Sequence, residues 1–163
     1  MKRAAIEKPA VIEKPAVIEQ TKAPSLKFVI KPVFFGFDSY ILTDASLEKL
    51  DELTKALKEY PSLKIEVRGY TDAMGPFEYN QMLSEKRALA VTEYLIRKGI
   101  DPERLKNKGL SESENIAINN FSDGRDAIEG RKFNRRVEFR TIELGGALLI
   151  IEDVPVPEEL RKE

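Results

Sequence analysis

An α/β two-layer sandwich is the fold class this sequence predicts, and three observations carry the prediction. Leu63, Ile65 and Val67 alternate with Lys64, Glu66 and Arg68, the pattern of a strand with one buried face. A stretch on each side of that strand repeats apolar residues at helical spacing. The resulting order, strand–helix–strand–helix–strand–strand, implies two βαβ-type units whose helices cover a sheet.

Residues 1–27 read as a linker punctuated by Pro9, Pro15 and Pro24, which forbid a continuous helix. They carry a six-residue repeat: Ala5-Ile6-Glu7-Lys8-Pro9, Val11-Ile12-Glu13-Lys14-Pro15, then Val17-Ile18-Glu19-Gln20. The Val-Ile pairs leave open an edge strand or docking peptide, because such pairs are unusual in a solvated linker. A globular domain spans 28–144 and opens with a buried strand, Val33 to Phe37, in which Phe34, Phe35 and Phe37 are core candidates. Thr43-Asp44 then supplies helix-start chemistry. Leu47, Leu50, Leu53, Thr54 and Leu57 mark one helical face, and Pro61 stops it. After the alternating strand, Gly69 to Gly75 makes a turn. A second helix runs from Pro76 to Lys98, with Gly99 as terminator. A short strand follows around Leu105 to Leu110, then a long polar loop from Ser111 to Gly130, then a strand through Val137 to Thr141. Residues 145–163 form an extension: Ala147 to Ile151 reads as an edge strand or a partner-facing segment, and Pro155 to Glu163 as a mobile tail.

Within the second helix one residue breaks the pattern. Counting 100° per residue from Arg87, Leu83 and Val91 lie about 40° to either side, and Ala90 and Tyr94 within about 60°. Arg87 therefore points where a core residue should. A guanidinium does not shed its proton and is costly to bury unpaired, so it requires an anion. The chain offers Asp72, at the mouth of the same helix, and the two are expected to satisfy each other when no ligand is bound. A ligand carboxylate would serve equally well.

Composition narrows the chemistry. With 27 basic and 28 acidic residues among 163, no general polyanion-binding surface is expected, and no basic block or aromatic ladder points to nucleic acid. No cysteine means no disulfide, thiolate catalysis or zinc–thiolate site. No histidine removes the commonest general base and transition-metal ligand, so neither metal nor cofactor is expected. The longest apolar run, Ala147 to Ile151, is far below the roughly 20 residues a bilayer-spanning helix needs.

Four separated stretches resemble a known family. Phe35-Gly36-Phe37-Asp38-Ser39 looks like its opening strand motif. Val67-Arg68-Gly69-Tyr70-Thr71-Asp72 with Gly75 looks like its central turn. Tyr79-Asn80, Leu83-Ser84, Arg87-Ala88, Ala90-Val91 and Tyr94-Leu95 resemble its long helix. Gly130-Arg131 and Asn134-Arg135-Arg136-Val137-Glu138-Phe139 resemble its closing signature. The family is the OmpA-like peptidoglycan-binding domain, found at the end of outer-membrane protein A, in the peptidoglycan-associated lipoprotein and in flagellar stator proteins. The likeness covers about 33–142 and implies a β-α-β-α-β-β fold with a mixed sheet.

It also implies a function: non-enzymatic binding of peptidoglycan through the meso-diaminopimelate of the stem peptide, anchoring an outer-membrane or envelope assembly. By the resemblance Asp72 takes the ligand's ammonium and Arg87 its carboxylate. Backbone groups at Phe37 and Asp38 close over the end of the side chain, with Asn80 nearby and Arg135 as a weaker candidate. This chemistry agrees with the inward Arg87, since an amino-acid zwitterion needs one fixed carboxylate and one bidentate guanidinium. The implied location is the periplasm, against the outer membrane, as a fragment of a longer exported protein. Protein partners in the envelope and homodimerisation, known in stator versions, stay open. Tyr70 stands where the family often has histidine, Leu110 where an aromatic is common, and Asn115 where proline is common. The longer stretch from Asn120 to Gly130 is placed to cover the pocket. Arg135-Arg136 on a strand should face opposite ways, one of them solvated. Two other readings compete. One is an interaction module, and the other a wall-peptide enzyme built on Asp72, Glu85 and Tyr70, for which no nucleophile–base pair can be assembled.

Overall fold

The computed structural model describes residues 27–163. The six-residue repeat, expected as a linker, lies outside those residues. A four-stranded mixed sheet has the order β2-β5-β3-β4, with β2 at Val33–Phe34, β3 at Lys64–Gly69, β4 at Leu105–Gly109 and β5 at Arg136–Glu143. Helices α1 (Asp44–Glu59) and α2 (Phe77–Arg97) join the sheet in one core with Leu50, Leu53, Leu57, Ile65, Val67, Val91, Leu95 and Val137. β3, α2 and the parallel β4 form one βαβ unit. The unit from β2 through α1 to β3 is split, because the antiparallel β5 lies between those two strands.

Local chemistry explains the helix ends. The Thr43 hydroxyl accepts from the Ser46 N–H at 3.2 Å and caps α1. Gly99, at φ +100°, ends α2 in the left-handed region, where a side chain would be strained. Glycine also sets how closely α2 lies on the sheet. A Cβ on Gly69 would stand 2.0 Å from the Ser84 carbonyl oxygen, so the helix backbone rests directly on the end of β3. That contact brings the Ser84–Ala88 turn, and Arg87 with it, down to the chain that follows β3.

Several expectations change. The opening strand stops at Phe34: Phe35 stays buried, but the chain turns at Gly36, Asp38 adopts φ +53°, and Phe37 is 64% exposed rather than core. The 111–130 stretch is irregular until Ile128, where an unforeseen helix α3 (Ile128–Asn134) begins. Asn134 fastens the loop to this helix, its Oδ1 accepting from the Ile116 and Ala117 N–H groups and its Nδ2 donating to the Ala117 carbonyl. Residues Leu149–Ile151 form β6, paired in parallel with β1 (Phe28–Ile30) as a second small sheet against α1, where Phe28 meets Tyr60 edge to face.

The end of the chain is docked, correcting the expected mobile tail. Val156 is buried, Ile118 N–H donates to the Leu160 carbonyl at 2.9 Å, and Lys162 N–H to the Ile116 carbonyl at 3.1 Å. Deleting residues 155–163 is therefore expected to lower stability by about 2–3 kcal/mol, the sum of one buried valine and a few hydrogen bonds. The shift in urea midpoint reads this directly.

Candidate functional site

Where β2 and β3 give way to loops, beside the first half of α2, lies a cavity of about 380 Å³. Phe37, Asp38, Asp72, Asn80, Arg87 and Arg135 all line it, so the fold gathers at one place the six residues that the resemblance implies for the ligand. Thr71, Tyr79 and Leu83 complete much of the wall. None of residues 120–130 lines it, so that stretch does not cover the pocket; it folds back on itself, Phe121 N–H donating to the Arg125 carbonyl.

Arg87 has no solvent exposure. It donates from Nε to the Ser39 carbonyl at 2.7 Å, from Nη1 to that of Tyr70 at 2.9 Å and from Nη2 to that of Gly36 at 3.1 Å. The side chain thus ties both loops that flank the cavity to α2. Burial pulls its pKa down to about 10, the negative charge of Asp72 working the other way, so at neutral pH it stays a cation. Carbonyls take three of its five N–H groups, and among the described residues the other two have no acceptor. Among the described residues no carboxylate lies within ion-pair distance of it.

Asp72 does not pair with Arg87 as the sequence suggested. Its Oδ2 accepts from Arg135 Nη1 at 3.2 Å, and its Oδ1 accepts from the Met74 N–H at 3.0 Å, an Asx turn that fixes the carboxylate. Arg135 Nε also donates to the Phe35 carbonyl at 3.0 Å. Asn80 is buried, its amide directed at the Asp72 and Gly75 carbonyls at 3.4 and 3.5 Å. Across the mouth the Tyr79 hydroxyl donates to Asp38, which raises the phenol pKa.

Neither arginine of the closing signature is solvated. Arg136, expected on one face or the other, is 1% exposed: its guanidinium stacks 3.9 Å from the Tyr70 ring centroid and donates to the Asn134 and Glu114 carbonyls. Tyr70 is itself fully buried. Burial raises its pKa, and its oxygen accepts from Arg68 Nε at 3.0 Å. Neither Tyr70 nor Glu85 lines the cavity, so the residues of the enzymatic reading are not brought together.

Sequence reasoning missed the residues that hold the Thr71–Ala73 loop. Asn115 Nδ2 donates to the Thr71 carbonyl at 3.0 Å, and Asn119 Oδ1 accepts from the Ala73 N–H at 3.0 Å. Asn115 had been marked only as a departure at a position where proline is common, and its side chain is the signal that could have found this bond.

The chain is 38% identical over 107 residues to outer membrane porin F of Pseudomonas fluorescens, covering 65% of this chain and 31% of that protein. It is 36% identical over 107 residues to the peptidoglycan-binding protein ArfA of Mycobacterium bovis, covering 66% and 31%. The crystal structure of the peptidoglycan-associated lipoprotein from Burkholderia pseudomallei superposes with a TM-score of 0.60 at 29% identity, over 76% of this chain and 97% of that one. The chain spans only part of its curated relatives, from 12% of a photosystem I apoprotein of Gloeobacter violaceus to 53% of outer membrane protein A of Bordetella avium. The profile of the OmpA family matches residues 34–129, more than half of the chain. On that match, and with the mixed α/β fold it shares with these structures, the chain belongs to the OmpA family.

Proposed function

We propose that this domain binds peptidoglycan without covalent chemistry, gripping the free amino-acid end of meso-diaminopimelate in the stem peptide and so anchoring an envelope assembly to the wall. One observation carries the reading: Arg87, a buried cation with no carboxylate within ion-pair distance among the described residues, lines the same cavity as the fixed carboxylate of Asp72. A carboxylate accepts two parallel N–H bonds from one guanidinium. An α-amino acid carries that carboxylate and an ammonium one carbon apart, matching Arg87 and Asp72. The volume, about 380 Å³, is ample for such a head group and the chain that carries it. A relative named for peptidoglycan binding and a structural neighbour named as peptidoglycan-associated point to the same polymer.

On the wall reading the domain works in the periplasm, and the likeness to an outer membrane porin supports a position beside that membrane. Among the described residues no helix is long and apolar enough to cross a bilayer. A second reading, contact with an envelope protein or a second copy, is favoured by a separate groove where Tyr40, Ile41 and Leu89 are exposed along α2.

Sacculi that differ at the third stem residue test the ligand. Diaminopimelate-type sacculi should retain the protein, whereas lysine-type sacculi, which lack the distal carboxylate, should bind at least about 30-fold more weakly, because Arg87 is left buried without its anion. Equal retention by both wall types rejects the assignment.

A further inference from the structure

We propose that Arg135 is a resident counter-ion: it occupies the ammonium position on Asp72 in the free protein and gives it up to the ligand. This rests on the reading of the cavity above and specifies how the amino group is recognised.

The two guanidiniums lining the cavity are held very differently. Arg87 is bound by three carbonyls from two stretches of chain and is wholly buried. Arg135 has one carbonyl, that of Phe35 on Nε, and its side chain keeps 12% exposure. Among the described residues its side chain's one other hydrogen bond runs from Nη1 to Asp72. Arg87 is a fixed post; Arg135 can pivot about its Nε bond.

Space for that pivot exists. Arg135 also lines a neighbouring cavity of about 440 Å³, walled by Phe34, Thr43, Phe133 and the Glu129–Lys132 ion pair. A guanidinium turned away from Asp72 meets an open space, with Glu129 shared at its edge between it and Lys132. Asp72, 4% exposed, is never left as a buried charge without a cation, because one partner arrives as the other leaves.

The consequence is a division of labour between the two ends of the ligand. At Arg87 the ligand carboxylate meets a cation that has no contact anion, and contributes affinity. At Asp72 the ligand ammonium replaces a cation already present, so the gain is the difference between two similar charge-assisted bonds. A ligand with a carboxylate and no amino group leaves Arg135 in place.

The test compares free meso-diaminopimelate with pimelate, which has the same seven-carbon chain and two carboxylates but no amino groups, by calorimetric titration of wild type and R135Q. Without its resident cation Asp72 should favour the ammonium more strongly, so the ratio of diaminopimelate to pimelate affinity should rise about tenfold in R135Q. A ratio that is unchanged or falls overturns the proposal, since Arg135 would then touch the ligand itself or merely brace the loop. A wild-type chain that binds neither compound sinks the reading of the cavity and this inference with it. Should R135Q not fold, a crystal structure of the wild-type chain with diaminopimelate decides: the Arg135–Asp72 contact should be open and the guanidinium turned into the neighbouring cavity. A contact retained at its 3.2 Å spacing beside the bound ammonium overturns the proposal.

Discussion

Asp72→Asn is expected to abolish retention by diaminopimelate-type sacculi, with a loss of at least about 30-fold in affinity and a native fold. Asparagine has nearly the same volume and keeps the oxygen that accepts from the Met74 N–H, so the turn survives. What goes is the charge. A ligand ammonium would then enter a cavity that holds the guanidiniums of Arg87 and Arg135 against the single carboxylate of Asp38, and would lose its fixed partner. Pull-down with purified sacculi, alongside a thermal melt, reads both halves of the expectation. Undiminished retention by the variant would remove Asp72 from the site. The obvious companion, Arg87→Ala, is a poorer probe than its position suggests. It strands the buried Tyr70 carbonyl, at about 1–3 kcal/mol, and unties the Ser39 and Gly36 carbonyls from α2, so lost binding and lost stability arrive together.

The largest effect on the fold is expected from Gly69→Ala. The added methyl would lie 2.0 Å from the Ser84 carbonyl oxygen and 3.2 Å from the Ala88 nitrogen, both in the backbone of α2. No flexible side chain can give way there. Either the helix lifts from the end of β3 or the strand bends, and the core around Val67, Val91 and Leu95 opens in both cases. A loss of about 3 kcal/mol or more is expected, enough to leave a marginal domain substantially unfolded. Urea denaturation measures it, and a midpoint equal to wild type would show the contact to be looser than the structure has it. Because Arg87 sits on the turn that would be displaced, surviving folded protein should also bind the wall poorly.

These two variants probe features that differed in how readable they were. Both long helices and the central strand were plain in the chain, because their apolar periods run over many residues and are closed by Thr43 and Gly99. The inward turn of Arg87 followed from the same period. Its true partners did not: the carbonyls of Ser39, Tyr70 and Gly36 lie 48, 17 and 51 residues away, and no local pattern encodes them. The Asp72–Arg135 pair spans 63 residues and was likewise invisible. Helix α3 escaped notice because its seven residues are mostly polar and contain Gly130, which reads as a breaker. There the glycine is required by packing, since a Cβ would approach the Ile118 carbonyl oxygen to 2.2 Å. Arg136 was misjudged because alternation assigns a face and says nothing of an aromatic ring waiting on it.

The small parallel sheet of β1 and β6 has a mechanical consequence for an anchor. If the wall holds the cavity while whatever precedes residue 27 is tugged, tension enters the domain at Phe28. The first fastening it meets is the pairing of Phe28, Val29 and Ile30 with Leu149, Ile150 and Ile151. Pulled along the strand, these bonds are sheared together rather than peeled one at a time, and Phe28 and Ile30 must leave the apolar interior in the same step. The terminal strand therefore acts as a strain relief, taking up the load before it reaches the turn that carries Arg87.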